Sequence, residues 1–193
     1  MKLNIWRVAA FFLLIALSVG FGFAFDAIAT SIERSNHPRP SEWEAMIGET
    51  AEEYGIPEMI VWAIVCEGSN FASNATSSDG RIGLMQLSPT RFAEISETLF
   101  GKEEPDTRLL YDPETNLQYG TAWLSHLYEQ YGIWDLAYAA YYVGTDTVNA
   151  WLSDSAYVDE SGILKKIPDP DTETYVNHVK ESVEIYRKLY YKP

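Results

Sequence analysis

A carboxyl group stands at the end of the most apolar helical stretch in the chain. Residues 57–67 read PEMIVWAIVCE, and a helix that is apolar on nearly every side belongs in the centre of a domain. Glu67 closes this stretch and shares a helical face with Ile60, Ala63 and Ile64. We therefore predict that Glu67 is half-buried. Burial raises the pKa of a carboxyl group, and a carboxyl that stays protonated near neutral pH can act as a general acid.

The remaining polar residues offer few alternatives for acid–base or metal chemistry. Asp79 and Asp146 are further carboxyl groups in polar stretches, where solvation of a loop is the simpler interpretation. Asp112 precedes a proline and is predicted to cap a helix. The three histidines are far apart without a zinc-type spacing, and a single cysteine, Cys66, excludes an internal disulfide bond. We therefore predict neither a metal site nor a cofactor.

An all-α domain is predicted to position these residues. Helix starts are marked by a capping-box pattern at Ser41 and Glu44 and by the pairs Ser88-Pro89 and Asp112-Pro113. We find no period-2 run typical of a strand, although the loops leave room for a short hairpin. The predicted helices cover 41–54, 57–67, a segment from 89, a segment from 113, 134–143, 145–151 and 172–190.

The first 29 residues have the pattern of an export signal. Lys2 and Arg7 precede an uncharged apolar run, residues 8–25, which is about long enough to span a bilayer. Ala27-Ile28-Ala29 resembles a cleavage site, so a cleaved signal peptide and a retained signal-anchor helix both remain open. Because the basic residues come first, the rest of the chain is predicted to be extracytoplasmic, either anchored or secreted. We divide it into a linker at 30–40 and a domain at 41–193.

The charge of the chain excludes several classes of partner. A formal net charge of −14 at pH 7 disfavours nucleic acid and anionic lipid headgroups, because a phosphate backbone is bound by a basic surface. Ligand recognition must then come from aromatic faces and hydrogen bonds, which 13 tyrosines and 6 tryptophans can supply. Nothing in the sequence indicates an oligomer, and a monomer is predicted.

Four short motifs follow one another along the domain. They are Gly83-Leu84-Met85-Gln86 with Ser88-Pro89, Asp112-Pro113-Glu114-Thr115-Asn116, Ala139-Ala140-Tyr141-Tyr142-Val143-Gly144, and residues 167–176, IPDPDTETYV. The set resembles the GLMQ, DPxxN, AAYNAG and IPxxETxxYV motifs of the soluble lytic transglycosylase (SLT, goose-lysozyme-like) family. Each motif is weak alone, but four in the right order indicate a divergent member, with the resemblance extending from Ser41 to Tyr186.

The resemblance implies a lysozyme-like helical fold and a peptidoglycan substrate. The family cuts the β-1,4 bond between N-acetylmuramic acid (MurNAc) and N-acetylglucosamine (GlcNAc) and leaves a 1,6-anhydro ring on MurNAc. One glutamic acid serves as acid and then as base, which removes the need for the second carboxylate of ordinary glycosidases. Carried over by position, the residues implied to bind the glycan strand are Gly83, Met85, Gln86, Tyr141 and Tyr142. Independently of the resemblance, the apolar N-terminal segment predicts the membrane as a second partner.

The match breaks at the residue that should be catalytic. The family pattern is A-I-x-x-x-E-S-x-F, whereas residues 63–71 read AIVCEGSNF, so the catalytic position falls on Gly68 and Glu67 stands one residue early. One step along an α-helix rotates a side chain by about 100° and moves it about 1.5 Å. A 3₁₀ turn or π-bulge at Gly68 could absorb that step. A second departure is Tyr142, where the family usually has asparagine.

Three hypotheses remain open from the sequence. The first is a lytic transglycosylase with Glu67 as its acid and base, and with Gln86 and Tyr141 shaping the MurNAc subsite. The second is a catalytically inactive glycan-binding or scaffold module on the same fold, which Gly68 and Tyr142 favour. The third is a lysozyme that hydrolyses with water, which would need a further carboxylate that the sequence does not indicate.

Overall fold

The N-terminal unit of the protein is a single long helix. The computed structural model describes residues 5–102 and 105–191, which fall into two compact units that divide between Pro38 and Arg39. Helix α1 runs over Ile5–Asn36, and its part Phe11–Asn36 is long and apolar enough to cross a membrane, with a mean hydropathy of 2.2. The sequence placed a linker at 30–40, but α1 continues through its first seven residues because the first proline is Pro38. The non-helical stretch between this helix and the next is therefore residues 37–40.

The second unit is a bundle of helices, which confirms the all-α prediction. Three isolated antiparallel bridges, Thr76–Ile82, Ile82–Leu87 and Val158–Leu164, lie in its loops. A 3₁₀ segment at Thr107–Tyr111, which the sequence analysis missed, precedes the helix that opens at Pro113. The α-helices are α2 Ser41–Glu53, α3 Glu58–Ser69, α4 Pro89–Phe100, α5 Pro113–Tyr131, α6 Trp134–Val143, α7 Thr145–Ser153 and α8 Pro170–Tyr190.

Local capping explains where these helices begin. Ser88, Asp112 and Asp169 each accept a hydrogen bond from a backbone N–H in the first turn of α4, α5 and α8, and each is followed by a proline at the first helical position. The capping box predicted at Ser41 is not formed. Pro40 holds the N-cap position of α2 without a side-chain hydrogen bond, so Ser41 is already inside the helix.

Helix α3 lies in the centre of the bundle. Its residues 60–65 are all buried, and it packs mainly against α8 and also against α2. The Trp62 ring stacks on Tyr186 of α8, with ring centroids 6.2 Å apart. The helix does not stop at Glu67: it stays α-helical through Gly68 and Ser69, and Asn70 ends it in the left-handed conformation with φ 48°. No 3₁₀ turn or π-bulge at Gly68 therefore absorbs the one-residue step.

Candidate active site

A cleft opens at the C-terminal end of α3. Its walls come from four places in the chain: α3 itself, the loop between α3 and α4, the end of α6 and the start of α8. Its volume is about 410 Å³. Of the sequence-predicted site residues, Glu67, Met85, Gln86, Tyr141 and Tyr142 all line it. The fold therefore brings together residues that lie up to 75 positions apart.

Gly83 has a structural role behind the cleft and is not among the residues that line it. Its φ of +81° lies in the left-handed region, and a Cβ atom there would be 2.2 Å from Nδ2 of Asn116 and 2.4 Å from the carbonyl oxygen of Leu110. Only glycine fits such a close approach. Substrate binding by Gly83 stays a prediction; in the structure this glycine lets the loop approach α5.

Asn116 is the residue that fixes the loop against α5, and the sequence analysis did not assign it this role. Its side chain is fully buried. Its Nδ2 donates to the carbonyl oxygens of Ile82 and Leu110, both at 2.9 Å, and its Oδ1 accepts from the backbone N–H of Met85 at 2.7 Å. We call this set of hydrogen bonds the Asn116 clasp. The sequence could have indicated this role, because Asn116 ends the DPxxN motif and a buried side-chain amide must find hydrogen-bond partners.

Met85 and Gln86 follow the clasp and form one wall of the cleft. Met85 is buried on its inner side, where its Sδ atom would lie 2.5 Å from a Cβ at Gly120, so α5 needs a glycine there. Gln86 adopts φ +53°, which costs free energy in a non-glycine residue and often occurs at functional sites. Its Nε2 donates to the carbonyl oxygen of Gly83 at 2.8 Å, which holds the side chain along the cleft wall.

Tyr141 of α6 also holds the loop between α3 and α4 in place. Its hydroxyl donates to the carbonyl oxygen of Met85 at 2.8 Å. Burial raises the pKa of Tyr141 well above 10, and the charges of Arg81 and Arg91 oppose that shift without reversing it. The hydroxyl therefore stays protonated and acts as a donor at neutral pH. Tyr141 lines the cleft as predicted, but its hydroxyl orients the loop backbone.

Glu67 lies in the cleft wall on the side of α8. Its carboxylate accepts a short hydrogen bond from the Ser182 hydroxyl, and its negative charge raises the pKa values of Tyr175 and Cys66, although burial is the larger cause for both. Glu67 is exposed, so the prediction of half-burial was wrong. Because α3 continues regularly past this position, the side chain leaves the core and turns toward α8.

Gly68 occupies the part of α3 that faces Gln86. A Cβ atom at Gly68 would lie 3.3 Å from Cγ of Gln86 and 3.6 Å from the carbonyl oxygen of Leu84. Glu67 and Gly68 therefore present different sides of the same cleft, as the rotation of about 100° per residue requires. The position that the resemblance assigns to the acid carries no side chain, and the neighbouring carboxylate enters the cleft from the α8 side.

An arginine and two tyrosines form a stack across the cleft that the sequence analysis did not foresee. The guanidinium carbon of Arg81 lies 4.5 Å from the centre of the Tyr142 ring. The Tyr142 ring stacks on Tyr175 of α8 with centroids 4.5 Å apart and an interplanar angle of 19°. This Arg81–Tyr142–Tyr175 stack joins the loop, α6 and α8. The sequence signal was partial: Tyr142 was recognised as a departure from asparagine, but its partners come from distant segments.

The cleft contains a second carboxyl group, which has different surroundings from Glu67. Among the described residues that line it, the carboxyl groups are Glu67 and Asp79. A hydrogen bond from the Ser77 hydroxyl and the adjacent Arg81 guanidinium hold the pKa of Asp79 below its usual value. Asp79 is therefore ionised at neutral pH. Within residues 5–102 and 105–191, we find no group of three or more His, Cys, Asp or Glu side chains arranged to hold a metal ion.

Comparison with known proteins places the chain in a family. The family model described as "Transglycosylase SLT domain" matches residues 45–163. Among curated proteins, the chain is 32% identical over 136 residues to the soluble lytic murein transglycosylase of Escherichia coli, covering 68% of this chain and 21% of that protein. It is 30% identical over 156 residues to the membrane-bound lytic murein transglycosylase C of Haemophilus influenzae, covering 78% and 41%. The chain thus spans 21% and 41% of the length of these two relatives.

Solved structures agree with the sequence matches. The chain is similar to the 70 kDa soluble lytic transglycosylase of Escherichia coli with a TM-score of 0.71 and 27% identity, covering 81% of this chain and 25% of that one. It is also similar, with a TM-score of 0.65 and 32% identity, to an inactive glutamate-to-glutamine mutant of the lytic transglycosylase Slt from Pseudomonas aeruginosa, covering 77% and 24%. The helical fold, the cleft at the end of α3 and these matches together show that the chain belongs to the transglycosylase SLT domain family.

Proposed function

We propose that this protein is a peptidoglycan lytic transglycosylase in which Glu67 is the acid and base. The observation that carries the proposal is that the Glu67 carboxylate lines the same cleft as Met85, Gln86 and Tyr141. The relatives named above are lytic transglycosylases, and the glutamate-to-glutamine mutant among them is described as inactive. A single carboxyl group is sufficient for this chemistry, because the substrate supplies the remaining groups.

The reaction proceeds in two proton transfers through the same side chain. Protonated Glu67 donates to the glycosidic oxygen while the bond between that oxygen and C1 of MurNAc breaks, so GlcNAc leaves with a free 4-hydroxyl. The acetamido oxygen of MurNAc shares the positive charge that develops at C1. The Glu67 carboxylate then accepts the proton of the C6 hydroxyl as O6 bonds to C1. The acid is regenerated and no water is consumed.

Two features favour Glu67 over the other cleft carboxyl. Asp79 accepts a hydrogen bond from the Ser77 hydroxyl and forms an ion pair of 2.8 Å with Arg81, so its carboxylate is already bound by a cation. Glu67 is bound by a neutral hydroxyl, that of Ser182, and is not in an ion pair described in this structure. We infer that the exposed Glu67 side chain exchanges its hydrogen bond with Ser182 for one to a bound glycan, and that this rotation offsets the one-residue displacement along α3.

Digestion of purified sacculi by the full chain in detergent, followed by mass spectrometry, tests this proposal. A transglycosylase yields 1,6-anhydro-MurNAc ends, whereas a lysozyme yields reducing MurNAc ends. We expect Glu67→Gln to lower the rate of anhydro product formation by about 10²–10⁴-fold, the usual contribution of a general acid or base. Glu49→Gln, on the exposed surface of α2, is the matched control and is expected to cleave normally. Undiminished cleavage by Glu67→Gln would remove Glu67 from the mechanism.

A non-catalytic glycan-binding module is the second candidate function, and one observation favours it. Gly68, which faces Gln86, offers no acid at the position that the family uses, while Ser182 directs Glu67 toward α8. In that case the sacculi remain chemically unchanged but co-sediment with the protein. The same digestion therefore distinguishes the two functions.

We further propose that α1 places the domain outside the cytoplasm, either as a membrane anchor or as an export signal. Its length and mean hydropathy support both forms. Fractionation of cells with an antibody to the domain distinguishes them, because an anchored protein stays with the membrane after a high-salt wash. Accessibility to protease added outside the cytoplasmic membrane tests the extracytoplasmic placement itself.

A further inference from the structure

A second, smaller cavity adjoins the cleft and contains two arginines. It has a volume of about 230 Å³ and shares Asp79, Arg81, Gln86, Tyr141 and Tyr142 with the cleft. Arg81 and Arg91 both line it. The whole chain has only 14 lysines and arginines against 28 acidic residues, so two guanidinium groups beside one cavity make a local exception to its negative charge.

Both arginines are held in place by an aromatic ring and a carboxylate. Arg81 lies over Tyr142, and its Nε is 2.8 Å from Oδ2 of Asp79. Arg91 lies 5.2 Å from the ring centre of Trp123 and forms an ion pair of 2.5 Å with Glu94. Their side chains are 27% and 18% exposed. Groups fixed in this way lose little conformational entropy when they bind a ligand.

The backbone around Arg91 is shaped to admit its guanidinium group. Gly144 has φ +101°, and a Cβ atom at this position would lie 3.2 Å from a terminal nitrogen of Arg91. The absence of a side chain at Gly144 therefore leaves space for the guanidinium beside the end of α6. Arg81 of the loop and Arg91 of α4 line this cavity together with Tyr141.

The N–H donors of the two arginines suit a carboxylate. Asp79 pairs with Arg81 and Glu94 pairs with Arg91, so each arginine is neutralised by one carboxylate, and each ion pair is formed through one nitrogen of the guanidinium group. Each guanidinium carries five N–H donors in a planar fork, and such a fork matches the two oxygens of a carboxylate. A phosphate dianion would be repelled more strongly by Asp79. The cavity is also smaller than the main cleft, so its size suits a side group of a glycan strand and not the strand itself.

We propose that Arg81 and Arg91 form a subsite for a carboxylate group of the peptidoglycan strand, next to the glycosidic bond that binds in the cleft. This proposal rests on the proposed peptidoglycan substrate but does not require cleavage. Two parts of the strand carry the same chemistry: the lactyl carboxylate of MurNAc without a peptide, and the carboxylates of an attached peptide stem. The subsite gives a chain of strongly negative net charge a local means of binding an anionic polymer.

Isothermal titration of the full chain in detergent tests the subsite. The Glu67→Gln background is used throughout so that the ligands are not consumed. The probes are a neutral GlcNAc tetrasaccharide, a peptide-free GlcNAc-MurNAc tetrasaccharide and the same tetrasaccharide with its peptide stems. We expect at least one carboxylate-bearing probe to bind about tenfold more tightly than the neutral probe at low salt, as one charge-assisted hydrogen bond predicts. Adding Arg81→Gln or Arg91→Gln is expected to abolish that preference.

The pattern of losses identifies the source of the carboxylate. Loss of preference with the peptide-free probe assigns the lactyl group, and loss only with the peptide-bearing probe assigns the stem. Arg108→Gln, at an exposed arginine paired with Asp106 outside the cleft, is the matched control and should keep the preference. Arg91→Lys keeps the positive charge but loses the planar fork of N–H donors, and it should retain part of the preference. This variant replaces Arg91→Gln if that protein is unstable.

Equal affinity for the neutral and carboxylate-bearing probes would overturn the proposal. So would a preference that survives both arginine substitutions. Neither result depends on catalysis, because binding is measured directly. A protein that shows the preference and its loss but never cleaves sacculi would retain the subsite while refuting the transglycosylase function.

Discussion

Replacing Asn116 with alanine should remove the clasp that holds the cleft loop to α5. The fully buried side chain serves three backbone groups: the carbonyl oxygens of Ile82 and Leu110 and the N–H of Met85. Leaving a buried polar group without a partner costs about 1–3 kcal/mol, so three such groups set a lower bound near 3 kcal/mol. We expect a loss of about 3–4 kcal/mol in the free energy of unfolding, which is a large share of the usual total of about 5–15 kcal/mol.

This loss is measurable by thermal unfolding followed by circular dichroism. For a domain of this size, each kcal/mol lowers the Tm by about 2–4 °C, so the expected decrease is about 6–16 °C. Asn177→Ala, at an exposed position on α8, is the matched control and should change the Tm by less than about 2 °C. If Asn116→Ala melts as close to the wild type as that control does, the clasp does not stabilise the loop and the reasoning is refuted.

Three further predictions follow from the same contacts. Gly83→Ala should destabilise the fold at least as much as Asn116→Ala, because a methyl group would collide with the clasp; an unchanged unfolding midpoint in guanidinium chloride would contradict this. Tyr141→Phe should lower the free energy of unfolding by about 1 kcal/mol through the lost bond to Met85 and also slow sacculus digestion, and a normal rate would argue against its positioning role. Because the folded-state pKa of Asp79 is lowered, its small contribution to stability is present above the unfolded value of 3.8 and is lost as pH falls through the lower folded value. Wild type and Asp79→Asn should therefore differ slightly in Tm at pH 6 and converge in acid.

Part of the candidate site was accessible from the sequence because short motifs carry local constraints. The Ser88-Pro89 and Asp112-Pro113 pairs predicted the starts of α4 and α5, and the all-apolar stretch before Glu67 indicated the buried α3. The GLMQ motif led to Met85 and Gln86, which line the cleft. Gly83 belongs to the same motif but acts on the backbone, since a motif does not distinguish residues that touch a ligand from those that shape the loop.

The burial of Glu67 was mispredicted because the prediction used only the neighbouring residues on α3. The apolar residues one and two turns before it suggested a continuous buried face along α3. That face ends where α3 emerges from the core, so the last turn lies in the open cleft although its periodicity is unchanged. Periodicity specifies which residues share a side of a helix, but it does not specify how far along the helix the neighbouring elements extend.

The sequence by itself determined most of the α-helices, the caps at Ser88 and Asp112 and the one-residue displacement of the carboxyl group, because each depends on neighbours within a few positions. It also determined that Gly68 leaves the family's acid position without a side chain. Only the tertiary structure decided the contacts across the cleft. Ser182 lies 115 residues from Glu67, and the Arg81–Tyr142–Tyr175 stack joins three separate segments. Such contacts depend on how helices pack around α3, and packing is a property of the assembled core and of no single segment.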